Sequence, residues 1–339
     1  MKRILKQMVP GFLWQQMRAV KDWVNRKVGS KVAQIILINL HDPELQRTVE
    51  GAGYDVARKE DYYSPLASVG TLRKNRARWD RPSALHGIDY DIDKMKSLLA
   101  ELLKRYAAEF SSYPPYEELQ KIGYGPGYTA VDALTLYMMV RQARPRRYVE
   151  VGSGLSTYYA SLAAEKNAAE GHPMEIICIE PFPYGKLSSI KAISIIKNEV
   201  QSVDMSLFQS LRDNDILFID SSHILRIDGD VPYLFLEVVP RLAPGVVIHV
   251  HDIPFPYNTP YPADLWVFGQ RWPMYWNEAM VLQAFLCYNS VFSIMLSTPL
   301  IRHLDEPFLK THIPNYQSVE QNQYAFGSIW LRRRTLTSP

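Results

Sequence analysis

At 339 residues the chain is long enough for one large domain or two modest ones, and a hydrophobic share of 47% fits a packed globular protein. A net charge of +3 argues against a nucleic-acid binder that works by neutralising many phosphates. The two cysteines, Cys178 and Cys287, form no CxxC pair, which excludes a disulfide scaffold and a Cys-based zinc site and suits a reducing, cytoplasmic setting.

The N-terminus carries Lys2, Arg3, Lys6, Arg18, Lys21, Arg26 and Lys27 against a single acid, Asp22. Its apolar residues, among them Ile4, Met8, Phe12, Trp14, Met17, Val20 and Trp23, are interrupted too often for a secretory signal core. The pattern reads as a basic amphipathic helix. It either packs on its own domain or makes peripheral contact with an anionic membrane surface. No apolar run approaches the ~20 residues of a membrane helix. Residues 31–92 are uneven, with an apolar run from Val32 to Leu40 and turn signals at Ser64-Pro65 and Arg81-Pro82. Residues 93–112 carry Met95, Leu98, Leu99, Leu102, Leu103, Tyr106 and Phe110 on one helical stripe. Gly123 to Tyr128, with three glycines and a proline, is a loop. Ala130 to Arg141 reads as a helix.

From there strands and helices alternate. Strands are expected at Arg147–Val151, Glu175–Glu180, Ile216–Asp220 and Gly245–His251. Helices are expected at Thr157–Asn167, Lys186–Ile196, Val231–Val239 and Asn277–Tyr288. Val291–Ser297 and Gly327–Arg332 read as a final strand pair. Alternation of this kind makes a parallel sheet covered on both faces, and near-continuous apolar strands agree with that. Pro254 to Trp276 is a segment dense in Pro, Tyr, Phe and Trp.

Ligands of open α/β sheets bind outside the carboxyl ends of the strands. At the first such end, Gly152 and Gly154 permit a tight turn and close approach of backbone to a ligand. Ser156 and Thr157 can cap the following helix and offer hydroxyls. Glu150, two residues before the first glycine, would repel a pyrophosphate but can serve the ammonium of a methionine moiety. Glu180 closes the second strand, where an acid can accept both hydroxyls of a ribose. After the third strand, Gln201 to Asp204 is where an adenine edge would be read.

Four segments in order carry a resemblance: Tyr148–Gly154, Cys178–Pro181, Asp215–His223 and Pro240–Asp252. Together they resemble the class I methyltransferases that use S-adenosylmethionine (SAM), closest to the branch of small-molecule, sugar and antibiotic-tailoring O-methyltransferases. The resemblance covers roughly Gly123 to Ser297. It implies a Rossmann-like α/β sheet of seven mostly parallel strands ending in an antiparallel hairpin, preceded here by a largely helical extension. The implied division is an extension at 1–122 and a methyltransferase domain at 123–339 with an aromatic insertion at 254–276. By position the resemblance assigns Glu150, Gly152, Gly154 and Ser156 to the methionine end of SAM and Glu180 to its ribose.

Asp220-Ser-Ser-His223 closes the fourth strand and His251-Asp252 the fifth. A histidine titrates near working pH, so His223 or His251, with Asp220 beside them, is a candidate base for deprotonating a hydroxyl. Some relatives bind magnesium through carboxylates at these strand ends, and Asp220 and Asp252 match those positions. His251 departs from that pattern, because magnesium prefers oxygen ligands. His249 is either a core residue or part of an HxH metal centre. Asp228 and Asp230 read as turn and helix-cap residues. The aromatic insertion would wall a pocket for an organic or sugar acceptor, or pack as a lid on the N-terminal region. The leading expectation is SAM-dependent methylation of a hydroxyl on a small molecule or saccharide. An NAD-dependent oxidoreductase and a non-catalytic binding protein are the competing readings.

Overall fold

The computed structural model describes residues 20–34 except 21 and 33, 42–53, 62–318 except 126 and 272, and 326–335. Residues 1–19, and with them most of the basic amphipathic segment, lie outside that set, as does most of the 32–40 run. The chain forms two compact units, residues 1–68 and 69–339. In the first, residues 22–32 are helical with Trp23, Val24 and Val28 exposed. Pro43–Gly51 is a second helix, started by Asp42, whose carboxylate accepts from the amides of Glu44 and Leu45. Among the described residues, no helix is long and apolar enough to cross a membrane.

In the second unit, two short helices, Val69–Lys74 and Arg76–Trp79, precede α1 (Ile92–Phe110), which buries Met95, Leu99, Leu102 and Leu103 of the predicted stripe. It packs on α2 (Ala130–Ala143) and on β6 (Phe292–Ser297). Residues 69–122, grouped by sequence with the extension, therefore belong to the sheet-bearing unit. A seven-stranded sheet follows, in the order β3-β2-β1-β4-β5-β7-β6. The strands are β1 (Arg147–Val151), β2 (Glu175–Ile179), β3 (Ile193–Ile196), β4 (Ile216–Ile219), β5 (Val247–Val250), β6 and β7 (Ile329–Arg333). β1 to β5 run parallel; β7 is antiparallel to both β5 and β6. β4 and β5 are buried along their whole length, as strands of a sheet covered on both faces are, and α3 (Leu155–Ala169) follows β1.

One sequence expectation fails here. Lys186–Ile196 is not helical: Gly185–Ser189 forms a short 3-10 turn and Ile193–Ile196 is the edge strand β3. A short apolar run bounded by a turn has no decisive period, and here pairing with β2 settles its state. The sequence reading also left unassigned α5 (Thr298–His312), which Ser297 caps between β6 and β7.

Arg141 ties the helical layer together. It is buried and donates to Glu109 of α1, and to Asn167 of α3 and Glu170 just beyond it. His249 is a core residue. Its ring stacks between Phe218 and Trp330, with centroids 4.4 and 3.8 Å away, and Nε2 meets Ser328 Oγ at 3.0 Å. Burial lowers its pKa well below the usual imidazole range, and among the described residues it is not one of the group whose ligand atoms converge after β4 and β5.

Candidate functional site

The strand ladder runs one residue past each strand and so fixes the loops that follow. Gly152 N donates to Ile179 O at 3.0 Å, Asp220 N to Val151 O at 2.9 Å and His251 N to Ile219 O at 2.9 Å. The strand order reverses between β1 and β4, which opens the crevice that α/β sheets use for ligands. Gly152, Asp220 and His251-Asp252 therefore meet at one rim, with Glu180 on the neighbouring strand end.

The glycine turn is built for close approach. Gly152 has φ +95°, and a Cβ there would collide with the carbonyl oxygen of Asp220. Glu150 lies fully buried beneath the turn, accepting hydrogen bonds from Ser156 Oγ and from Thr157 Oγ1 at 2.9 Å. Thr157 Oγ1 also accepts from Gly154 N at 3.1 Å, closing the first turn of α3. Burial pushes the Glu150 carboxyl up to about 8, against the bonds from Ser156 and Thr157. Glu180 stands at the end of β2, half-buried, its Oε1 accepting from Phe182 N at 2.8 Å. Gln201 sits in a one-turn segment after β3, where its amide donates to the Asp228 carbonyl at 2.7 Å.

The reacting end is a cluster of acids and imidazoles. His223 takes φ +61°, in a tight turn whose carbonyl accepts from the amides of Asn277 and Glu278. These two residues start α4 (Glu278–Leu286). His223 Nδ1 lies 2.8 Å from the buried Glu278 carboxylate, and Nε2 lies 3.4 Å from both Asp220 and Asp252. His251 is buried, with Nδ1 3.2 Å from Asp220 and Nε2 3.2 Å from Asp132. Asp132 also accepts from Thr129 Oγ1 and Ser328 Oγ. Asp230 does not cap its own helix, which Gly229 starts; it accepts from Ser222 N and Oγ and so holds the loop after β4.

Charge runs through this cluster. Burial opposes protonation of His223, but bonds to Asp220 and Glu278 and the charge of Asp252 raise its pKa well above the imidazole range. His251 is raised likewise, against burial, by Asp252 and Asp220. Asp220 is held well below the usual carboxylate range: burial disfavours its charge, and His251 and His223 outweigh it. Burial raises Asp252. Two acids pushed apart around shared imidazoles are an arrangement suited to moving a proton.

The same atoms fit a cation. One donor each from Asp220, His223 and Asp252 lies within 4.8 Å of the others. The Glu278 bond to His223 Nδ1 matches the carboxylate partner that metal-binding histidines usually have. An imidazole with two carboxylates suits manganese, iron or zinc better than magnesium.

Beside the cluster opens a cleft of about 180 Å³, lined by Asp252, Thr129, Tyr261, Trp266, Trp276 and Phe326 among others. The aromatic insertion thus supplies most of one wall. The His223 ring centre lies 4.4 Å from that of Trp276. Sequence reasoning missed Asp132 and Glu278. Thr129-x-x-Asp132 at a helix start was a capping signal that could have drawn attention to Asp132. Nothing local marks Glu278, an ordinary acid in a helix's first turn.

A family model described as a methyltransferase domain matches residues 149–253. An uncharacterized protein of Archaeoglobus fulgidus is 30% identical over 168 residues, covering 46% of this chain and 73% of its own. Among solved structures, the O-methyltransferase TomG of Streptomyces achromogenes, in complex with SAM, shares 13% identity at a TM-score of 0.39, over 73% of this chain and 92% of its own. The methyltransferase PaMTH1 of Podospora anserina, bound to S-adenosylhomocysteine (SAH), shares 14% at 0.36, over 83% and 100%.

Proposed function

The chain belongs to the class I SAM-dependent methyltransferases, and from that premise we propose that it methylates a hydroxyl of a small molecule or saccharide. One observation carries this reading: an aromatic cleft opens on Asp252, directly beside a histidine bonded to two further carboxylates. Aromatic walls suit the apolar faces of an organic or sugar acceptor.

SAM supplies an electrophilic methyl on its sulfonium. Gly152 and Gly154 let the chain's backbone approach it, and Ser156 and Thr157, both bonded to the buried Glu150, fix that turn from beneath. Glu180 receives the ribose hydroxyls. Gln201, bonded to the Asp228 carbonyl, braces the adenine side. In-line transfer requires the acceptor oxygen behind the methyl and its proton removed. His223 Nε2 takes that proton, Glu278 fixes the ring through Nδ1, and Asp220 and Asp252 stabilise the imidazolium formed. His251, with both nitrogens on carboxylates, orients Asp220 and Asp252.

A second reading has an observation of its own: the 4.8 Å cluster of Asp220, His223 and Asp252. A divalent cation held there would acidify the acceptor hydroxyl and orient it, and His223 would then be a ligand. Incubation with SAM labelled at the methyl carbon, the protein and a fractionated extract of small molecules tests both. The expected product carries an O-methyl carbon signal, still formed in the presence of a chelator. Loss of product with the chelator, restored by manganese or magnesium, would favour the cation. An N-methyl or C-methyl signal would refute the hydroxyl acceptor.

A further inference from the structure

We propose that Arg76 is a positioning residue for the acceptor, holding the aromatic insertion in the shape that walls the cleft. This rests on the reading of that cleft as the acceptor site. The insertion contributes Pro254, Pro260, Tyr261, Trp266 and Trp276 to the lining. Trp266 ends the one-turn helix Ala263–Trp266. A helix that short has no stability of its own, so its place is set by what it packs on.

The short helices at 69–79 supply that support. Arg76 donates to both carboxylate oxygens of Asp264, from Nη1 at 2.6 Å and Nη2 at 2.9 Å, and from Nε to Asp80 at 2.6 Å. The guanidinium carbons of Arg73 and Arg76 lie 4.5 and 5.8 Å from the ring centre of Phe268. Trp79 meets the same ring edge-on at 5.8 Å, its indole N–H donating to Leu72 O at 3.0 Å. Ser83 N donates to Pro256 O at 2.8 Å, at the start of the insertion. Arg76 is not among the cleft-lining residues. It acts through Asp264 and Phe268, which flank Trp266 by two residues on either side. A lone exposed ion pair shifts an equilibrium by about fivefold at most, and the bidentate fork tied to a second acid places this one at the upper end. The cleft wall therefore depends on a residue 188 positions away from Asp264 in the chain.

The test compares the full-length wild type with Arg76→Met, Asp264→Asn and the double variant by three readouts. The first is hydrogen exchange of the amides at 265–268, which bond to Pro262 O and Ala263 O within the turn. The second is methyl transfer from labelled SAM across a dilution series of the small-molecule extract, which gives a half-saturating extract concentration and a maximal rate. The third is SAH affinity. In Arg76→Met, exchange at 265–268 should quicken about threefold or more and half-saturation should rise by a similar factor, while maximal rate and SAH affinity stay within about twofold of wild type. Asp264→Asn should behave alike and the double variant no worse, since both single changes remove one pair. Should Arg76→Met not fold, Asp264→Asn carries the test, because Asp264 is 73% exposed. Unchanged exchange at 265–268, an unchanged half-saturation, a matching loss of SAH affinity or additive effects in the double variant would overturn the proposal. An extract that the wild type leaves unmethylated counts against the acceptor reading of the cleft, whereas unchanged exchange in the variants counts against this one.

Discussion

Gly152→Ala should abolish SAH binding and destabilise the fold together. The added methyl meets two obstacles at once. Residue 152 sits at φ +95°, where a side chain is strained, and its Cβ would overlap the carbonyl oxygen that follows β4. Strain and overpacking together cost about 2 to 6 kcal/mol. Relief requires the β1 and β4 loops to part, and those loops carry the cofactor turn and Asp220. Gly171→Ala is the matched control. It has φ +87° with nothing within 4 Å, so it bears the strain alone. Denaturant unfolding and SAH titration of both variants make the comparison. Equal destabilisation with SAH binding retained at position 152 would show that close approach is not what the glycine provides.

His223→Asn should lower kcat by about two to four orders of magnitude, the usual contribution of a general base. SAH affinity should change little. Asparagine is the suitable replacement because it tolerates the left-handed turn at φ +61°. The assay uses the acceptor identified through the labelled methyl. The pH profile is a second readout. The bonds from Asp220 and Glu278 and the charge of Asp252, against burial, raise the pKa of His223. Its basic form is therefore scarce at neutral pH and grows as pH rises, so wild-type kcat/KM should still climb above neutrality. The variant should lose that limb. A rate within about threefold of wild type would remove His223 from the proton transfer.

The turn and strand end proposed to hold the cofactor could be named from sequence because they depend on local chemistry. Gly152 and Gly154, the acid two residues before them and Glu180 at a strand end are each explained by a turn or a strand terminus. Their meeting point followed from strand order alone. The acceptor half was legible only in outline. His223, Asp220 and Asp252 could be named, because strand ends carry ligands in this architecture. Their partners could not. Glu278 reaches His223 from 55 residues away, Asp132 reaches His251 from 119, and both look like ordinary helix-start acids in their own surroundings. The misassigned edge strand β3 shows the opposite limit, where four residues with three isoleucines suit either state until a neighbouring strand pairs with them.

The most direct test is isothermal titration of SAM, SAH and NAD into the wild-type protein and Glu180→Ala. The account predicts saturable binding of SAM and SAH and none of NAD. It also predicts that affinity for both falls by about 2 kcal/mol or more in the variant, the cost of losing bonds to a charged acceptor. A folded protein that ignores SAM and SAH, or binds NAD in their place, would contradict it.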